Sequence, residues 1–316
     1  MNVLVTGAYG FIGSALVRRL SDRHDRVVGV VRDEPALSPL DLAAGSGTAE
    51  RVIAKGDILD TDFIYRLLVD YDITRVFHTA AHSAVSKCQK DPQNAWRVNT
   101  LGTVSVLEAC RRYGKVEAVV TASTDKVYGD GPIPYVETQP LQAKDPYAAS
   151  KIAADLAARS YAHIYALPVK VIRSCNVFGP GDLEFSRLIP GSINRMLHGE
   201  SAVLYNNATH MIREFVYIDD EVDAYLTVAD DGAVGEAYNV SGTGRVSVGQ
   251  VMKELTRLCD GQIEYLPRDF YEIPEQYMNA AKLMLLGWTP KVNLAEGLER
   301  TVGWYRWWFS ITSAGH

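Results

Sequence analysis

Tyr147 and Lys151 stand four residues apart in Tyr147-Ala148-Ala149-Ser150-Lys151, with Pro146 just before them. On a helix that spacing puts both side chains on one face. An ammonium beside a phenol favours the phenolate and lowers a tyrosine pKa from its reference of about 10. The pair reads as a base usable near neutral pH, with Lys151 also able to hold a ribose. A second group lies in Ser123-Thr124-Asp125-Lys126-Val127-Tyr128-Gly129. Thr124 offers a hydroxyl to a substrate oxygen, and Asp125 and Lys126 set an acid beside a base. A third feature is Gly7-Ala8-Tyr9-Gly10-Phe11-Ile12-Gly13, whose glycines are spaced GxxGxxG. Glycines there let the backbone turn tightly against a pyrophosphate, which meets free amides at a helix N-terminus.

These groups need elements to hold them. Val3-Leu4-Val5 is a short apolar run that reads as a buried strand, and Ile12, Leu16 and Leu20 mark an amphipathic helix behind it. Further strands are expected at Val27–Val31, Val52–Ala54, Val76–His78, Ala118–Val120 and Val169–Ile172. Helices are expected around Leu101–Leu107 and Ala153–Ile164. Strand then helix, repeated with short connections, predicts an α/β fold: a Rossmann-type, doubly wound parallel sheet with helices on both faces. Ligands bind at the C-terminal edge of such a sheet, where the Thr124 turn falls. Past residue 175 the rhythm loosens at Pro180, Pro190, Gly191 and Gly199, with helices again at Val248–Leu258 and Leu294–Trp308. The expected division is a dinucleotide domain of residues 1–174 with 214–240, and a smaller substrate-binding α/β domain of 175–213 and 241–316, the two sharing interleaved segments.

Two more loops extend the dinucleotide site. Gly56-Asp57-Ile58 follows the third strand, where Asp57 meets an adenine amino group with Ile58 beside it. Thr79-Ala80-Ala81 follows the fourth, where small side chains let a cofactor lie against the backbone. The second strand normally ends in an acidic residue that takes the ribose hydroxyls of NAD. Here Val31 is followed by Arg32 and Asp33. Arg32 suits the ribose phosphate of NADP, which is the expected cofactor; NAD, through Asp33, is the alternative.

Composition narrows the class. The 316 residues carry 32 Lys+Arg against 38 Asp+Glu, a net charge of −6, which excludes a basic nucleic-acid footprint. Hydrophobic residues make up 47% and charged residues 22%, the balance of a globular protein with a large core. Cys88, Cys110, Cys175 and Cys259 form no C-x-x-C pair, so neither a zinc site nor a disulfide scaffold is expected. No apolar run nears the roughly 18 residues of a membrane span. No leader is recognisable before Val3, and a cytoplasmic location is expected. Trp304, Tyr305, Trp307 and Trp308, at helical spacing, read as packing residues.

The segments GAYGFIG, STDKVYG, YAASK and RSCNVFGPGD together resemble the extended branch of the short-chain dehydrogenase/reductase superfamily, and within it the nucleotide-sugar epimerases and dehydratases. The resemblance runs through nearly the whole chain. It implies that Thr124, Tyr147 and Lys151 form an oxidising triad: Tyr147 takes the proton of the sugar hydroxyl at carbon 4, Thr124 orients that hydroxyl, and the nicotinamide accepts hydride. Asn99 matches an asparagine near the family's active site. Arg213, in Arg213-Glu214-Phe215, matches an arginine that binds the diphosphate; Asn176, Arg187 and Ser83 are further expected substrate contacts, with His82 structural. An acidic residue followed by Glu or Lys after Thr124 resembles the 4,6-dehydratases, and Asp125-Lys126 is most similar to the CDP-glucose and UDP-sugar types. In that chemistry Asp125 is the acid at carbon 6 and Lys126 the base at carbon 5. The expected substrate is therefore a nucleotide-diphosphate sugar, with a tightly held, recycled cofactor. The helices near residues 101–113 and 147–166 resemble those that pair as a four-helix bundle in family homodimers. Two other readings stay open: a nucleotide-sugar epimerase, and a non-catalytic dinucleotide-sensing scaffold.

Overall fold

The computed structural model describes residues 1–23, 25–33, 38–42, 50–267 and 273–313. In chain order its first half comprises β1 (Asn2–Thr6), α1 (Phe11–Asp22), β2 (Arg26–Val31), α2 (Pro39–Leu42), β3 (Arg51–Lys55), α3 (Thr61–Asp70), β4 (Arg75–His78), α4 (Val85–Lys90), α5 (Pro92–Ala95), α6 (Gly102–Tyr113) and β5 (Ala118–Thr124). There follow α7 (Pro146–Tyr165), β6 (Val169–Ser174), β7 (Asn176–Phe178), α8 (Leu188–Leu197), β8 (Ala202–Tyr205), β9 (Ile212–Tyr217), α9 (Ile218–Asp231) and β10 (Ala237–Val240). The chain closes with β11 (Arg245–Ser247), α10 (Val248–Cys259), β12 (Ile263–Leu266), α11 (Ala281–Met284) and α12 (Leu294–Ser313).

Valine-rich runs make the main sheet because both of its faces are covered. Seven strands pair in parallel in the order β3-β2-β1-β4-β5-β6-β10. Alternate residues feed two cores. Leu4, Val28 and Val30 pack with Ile64 and Leu68 of α3 and with Val106 and Leu107 of α6. Val3, Val5, Val27 and Val31 pack with Leu16 and Leu20 of α1 and with Val222 and Tyr225 of α9. Every βα crossover ends at one edge of the sheet, and the chemically interesting turns collect there.

Local signals set the critical helix. Pro146 occupies its first turn, and the Asp145 carboxylate accepts from the Ala148 amide at 3.0 Å, so α7 starts where Tyr147 needs it. Residues 96–101 depart from expectation. Trp96–Leu101 forms a π-helical turn that runs into α6, where a regular helix beginning at Leu101 was expected. Beyond residue 175 the chain is more ordered than its punctuation suggests. β7, β9 and β11 form a three-stranded sheet, and β8 pairs with β12. None of these strands exceeds six residues, too few for periodicity to register. Among the described residues no helix is long and apolar enough to cross a membrane.

Candidate active site

β1 delivers the chain into a turn at Gly7, whose φ is +72°, a conformation that side chains rarely adopt. A Cβ on Gly7 would lie 2.9 Å from the Ala80 backbone, and one on Gly13 only 2.0 Å from the Gly7 carbonyl oxygen. The loop and the start of α1 are thus pressed into a bare-backbone cradle. Gly7, Gly10, Phe11, Ile12, Gly13, Ala80 and Ala81 line one end of a cleft of about 1560 Å³. An adjoining pocket of about 380 Å³ is walled by Tyr9, Arg32, Asp33, Asp57 and Ile58. The cradle fits a dinucleotide: its backbone admits a pyrophosphate, and the adjoining pocket has the polar rim an adenosine needs. Arg32 donates to Asp33 at 2.7 Å, and both side chains are exposed.

The other end of the cleft holds Thr124, Lys126, Tyr147 and Lys151. Lys151 is 4% exposed, and burial drives its pKa down to about 8 against the opposing pull of Asp155. Tyr147 is raised above the ordinary tyrosine value. Burial outweighs the stabilisation of its phenolate by Lys126, by Arg187 and by a hydrogen bond with Thr124. The cations acting most strongly on Tyr147 are therefore Lys126 and Arg187, whereas the helical spacing had pointed to Lys151. Asp125 is 1% exposed and sits behind the cleft wall. Its Oδ1 accepts from the Thr124 hydroxyl at 3.0 Å and from Lys126 Nζ at 3.1 Å. Burial pulls the Lys126 pKa down, but Asp125 and Tyr147 outweigh it and the net shift is upward. At neutral pH Lys126 is an ammonium, which a carbon base must not be.

The remaining expected residues divide. Arg187 Nη1 donates to both Asp182 carboxylate oxygens, at 2.9 and 2.8 Å, and Nη2 donates to the Ser83 hydroxyl at 2.9 Å. Ser83 and Arg187 thus meet each other across the cleft. Asn176 Nδ2 donates to the Glu214 carbonyl at 3.0 Å, and its Oδ1 accepts from Lys126 at 3.4 Å. Arg213 lines the cleft while donating to the Ile212 carbonyl at 2.8 Å. Asn99 lies elsewhere. It lines neither pocket, is 1% exposed, and spends its amide on His82 and Ser150: Oδ1 accepts from the His82 amide at 2.7 Å, and Nδ2 donates to the His82 carbonyl at 3.1 Å and to Ser150 Oγ at 2.9 Å. It braces α7 against the loop after β4.

Two groups escaped the sequence reading. Glu214 is pushed up to about 7, by burial first and then by Asp125, and accepts from the Met278 amide at 2.9 Å. Nothing in its local sequence, Ile212-Arg213-Glu214-Phe215, set it apart from a surface carboxylate. Arg173 and Asp155 form a fully buried ion pair, Nε to Oδ2 at 2.9 Å. Arg173 also donates to the Tyr128 hydroxyl at 2.9 Å, tying β6, α7 and the Thr124 turn together. Its apolar neighbours on β6 gave no sign that an arginine was buried among them.

A dinucleotide cradle facing a Thr–Tyr–Lys group across one cleft defines an oxidoreductase-type site on a Rossmann fold. The chain belongs to the NAD dependent epimerase/dehydratase family, whose profile matches residues 3–241. It is 33% identical over 325 residues to a dTDP-glucose 4,6-dehydratase of Xanthomonas campestris, covering 96% of this chain and 92% of that one. A dTDP-glucose 4,6-dehydratase of Streptomyces venezuelae, solved with NAD bound, superposes with a TM-score of 0.90 at 30% identity, covering 98% of each chain. A UDP-glucose 4-epimerase of Thermotoga maritima, solved with UDP-glucose, gives 0.88 at 28% identity, covering 98% of this chain and 100% of that one. The chain spans about half the length of the first curated relatives it matches, trifunctional proteins of Arabidopsis thaliana that include a UDP-glucose 4,6-dehydratase. The relatives named here are of dTDP- and UDP-glucose type; of the two donor types that the Asp-Lys turn had suggested, CDP-glucose and UDP-sugar, the UDP type is among them.

Proposed function

We propose that the chain is a nucleotide-sugar 4,6-dehydratase, turning a nucleotide-diphosphate hexose into its 4-keto-6-deoxy form. The Asp125–Lys126 pair, set against Thr124 beside Tyr147, is the observation that carries this reading. A bound dinucleotide supplies the hydride acceptor and later the donor. Tyr147 takes the proton from the carbon-4 hydroxyl that Thr124 orients, and Lys151 holds the nicotinamide ribose. The carbon-4 ketone acidifies the hydrogen on carbon 5. Lys126 removes it while Asp125 protonates the leaving hydroxyl on carbon 6, so water departs; hydride then returns to carbon 6 and Lys126 returns its proton to carbon 5. The resting ion pair is one proton hop from the neutral acid and base this step needs. The 3.1 Å contact is short enough for that hop, and a sugar that fills the cleft and expels water favours the neutral pair.

Gly7, Tyr9, Gly10, Phe11, Ile12, Gly13, Asp57, Ile58, Ala80 and Ala81 are assigned to the cofactor, and Arg32 to a ribose phosphate. Asn99 acts on the cofactor site through its hold on α7. Arg213 and Arg187 take the diphosphate, with Ser83 and Asn176 beside the sugar. The domain division proposed is 1–174 with 214–240 against 175–213 with 241–316; the place of β10 in the main sheet supports it. Leu101, Leu156, Ile164 and Tyr165 leave exposed apolar surface on α7 and on the turn before α6, which supports a homodimer built as a four-helix bundle. Four buried free cysteines support a reducing, cytoplasmic setting.

The test is mass spectrometry of products from UDP-, dTDP-, CDP- and GDP-hexoses, each with NAD+ and with NADP+. Loss of one water from one donor is the expected result and names the nucleotide. An unchanged mass with inverted stereochemistry means an epimerase, and cofactor binding with no product from any donor means a scaffold.

A further inference from the structure

Ser174 ends β6 and lines the cleft, yet the dehydration chemistry gives it no task. It stands opposite Thr124 in the β5–β6 register. Side chains alternate along β6: Arg173 turns to Asp155 of α7, and Ser174 turns to Glu221 of α9. Ser174 and Thr124 therefore share the α9 face of the sheet, one strand spacing of roughly 4.8 Å apart. Thr124 and Tyr147 both line the cleft, and Thr124 is among the groups that favour the Tyr147 phenolate. Ser174 is thus within one strand of the place where hydride must be exchanged.

Glu221 lies beneath it with no exposed surface. Its Oε1 accepts the Ser174 hydroxyl proton, and its Oε2 has no hydrogen-bond partner among the described residues. One turn along α9, the Tyr225 hydroxyl is buried and equally unpartnered. A carboxyl placed in the core costs stability unless its partners repay the desolvation. One serine hydroxyl is a poor repayment, so the placement asks for a use. Because Ser174 spends its only proton on Glu221, the lone pairs it turns to the cleft can only accept.

We propose that Ser174 and Glu221 form a positioning pair for the dinucleotide: Ser174 accepts a hydrogen bond from the carboxamide N–H of the nicotinamide, and Glu221, through Ser174, fixes the hydroxyl in its accepting orientation. The carboxamide is the donor that chemistry supplies at this end of a dinucleotide. Fixing it sets which ring face looks toward Tyr147. The pairing rests on the dinucleotide site and is independent of which sugar reaction follows. Burial pushes Glu221 up to about 7, in keeping with a carboxyl whose one contact is a hydroxyl.

The experiment compares NAD+ with ADP-ribose, which lacks the nicotinamide, by calorimetric titration of the full chain freed of cofactor. Ser174→Ala and Glu221→Leu, which removes the acceptor, are each expected to weaken NAD+ about tenfold, the scale of one hydrogen bond in a dry site, and to leave ADP-ribose within about twofold. The double variant should bind NAD+ no more weakly than Ser174→Ala alone, since both changes remove one contact. Ser174→Thr, which keeps the hydroxyl, should recover most of the affinity. If Glu221→Leu does not fold, the Ala and Thr variants at Ser174 still decide the Ser174 contact. Equal losses for NAD+ and ADP-ribose, losses that multiply in the double variant, or unchanged NAD+ affinity would each overturn the proposal.

Discussion

Asp125→Asn removes one acidic proton and one negative charge while keeping the side chain's size. Asp125 Oδ1 lies 3.1 Å from Lys126 Nζ. At an effective dielectric of about 20, two unit charges at that distance attract by roughly 5 kcal/mol. The Lys126 side chain is 29% exposed, so water screens part of this. Without that attraction the Lys126 pKa falls, because Asp125 is the strongest group holding it up. Burial, which already pulls Lys126 down, is then less opposed. The variant should hold a better carbon base but no acid. Oxidation at carbon 4 depends on Tyr147, Thr124 and Lys151 and should persist, seen as reduced nicotinamide absorbance in single-turnover mixing. Hydrogen exchange at carbon 5 in heavy water should also persist. Loss of water should slow by about 10²–10⁴-fold, the scale of one general acid. Dehydration at the parent rate, or loss of oxidation together with dehydration, would refute the roles assigned to this pair.

Three further outcomes follow from the same geometry. Lys151 has a folded pKa of about 8, below its ordinary value of 10.5, so between those pH values the unfolded chain holds a proton that the folded chain lacks, and this group's contribution to stability rises with pH. Lys151→Met should therefore make the cofactor-free chain more stable than the parent at pH 7, by up to roughly 3 kcal/mol, and the gap in denaturant titrations should close toward pH 10.5; a gap independent of pH refutes the assignment. Asp155→Ala strands Arg173 in the core without its counter-ion and should cost about 3–5 kcal/mol in the same titrations, whereas a loss under about 1 kcal/mol would show that Tyr128 and Glu137 suffice. Arg32→Ala should weaken NADP+ about tenfold or more in binding titrations and leave NAD+ within about twofold; equal effects on both would remove Arg32 from any phosphate.

Much of the fold could be read from local patterns. Continuous apolar runs marked six of the seven main strands; for the inner ones this is because a strand covered on both faces needs no alternation, whereas β3 lies at the edge and is partly exposed. Tyr147 and Lys151 were visible because four residues make one helical turn. The GxxGxxG loop was visible because a Cβ at Gly7 or Gly13 has nowhere to go. What stayed hidden was set by distance along the chain. Lys126 and Arg187 reach Tyr147 only through folding, so the helical spacing credited Lys151 alone. Asn99 fits the family pattern, yet its amide is consumed by His82 and Ser150, and no pattern shows which way a side chain turns. Glu221 looks like one more acidic residue in Asp219-Asp220-Glu221, and only its packing under Ser174 sets it apart.

The central claim is that hydride leaves carbon 4 and returns to carbon 6 of the same sugar. A donor hexose labelled with deuterium at carbon 4 tests this in one reaction, read by NMR of the product. The dehydratase account requires the deuterium in the new methyl group at carbon 6, beside a ketone at carbon 4. Deuterium found again at carbon 4 of an intact, inverted sugar would contradict it and make the chain an epimerase.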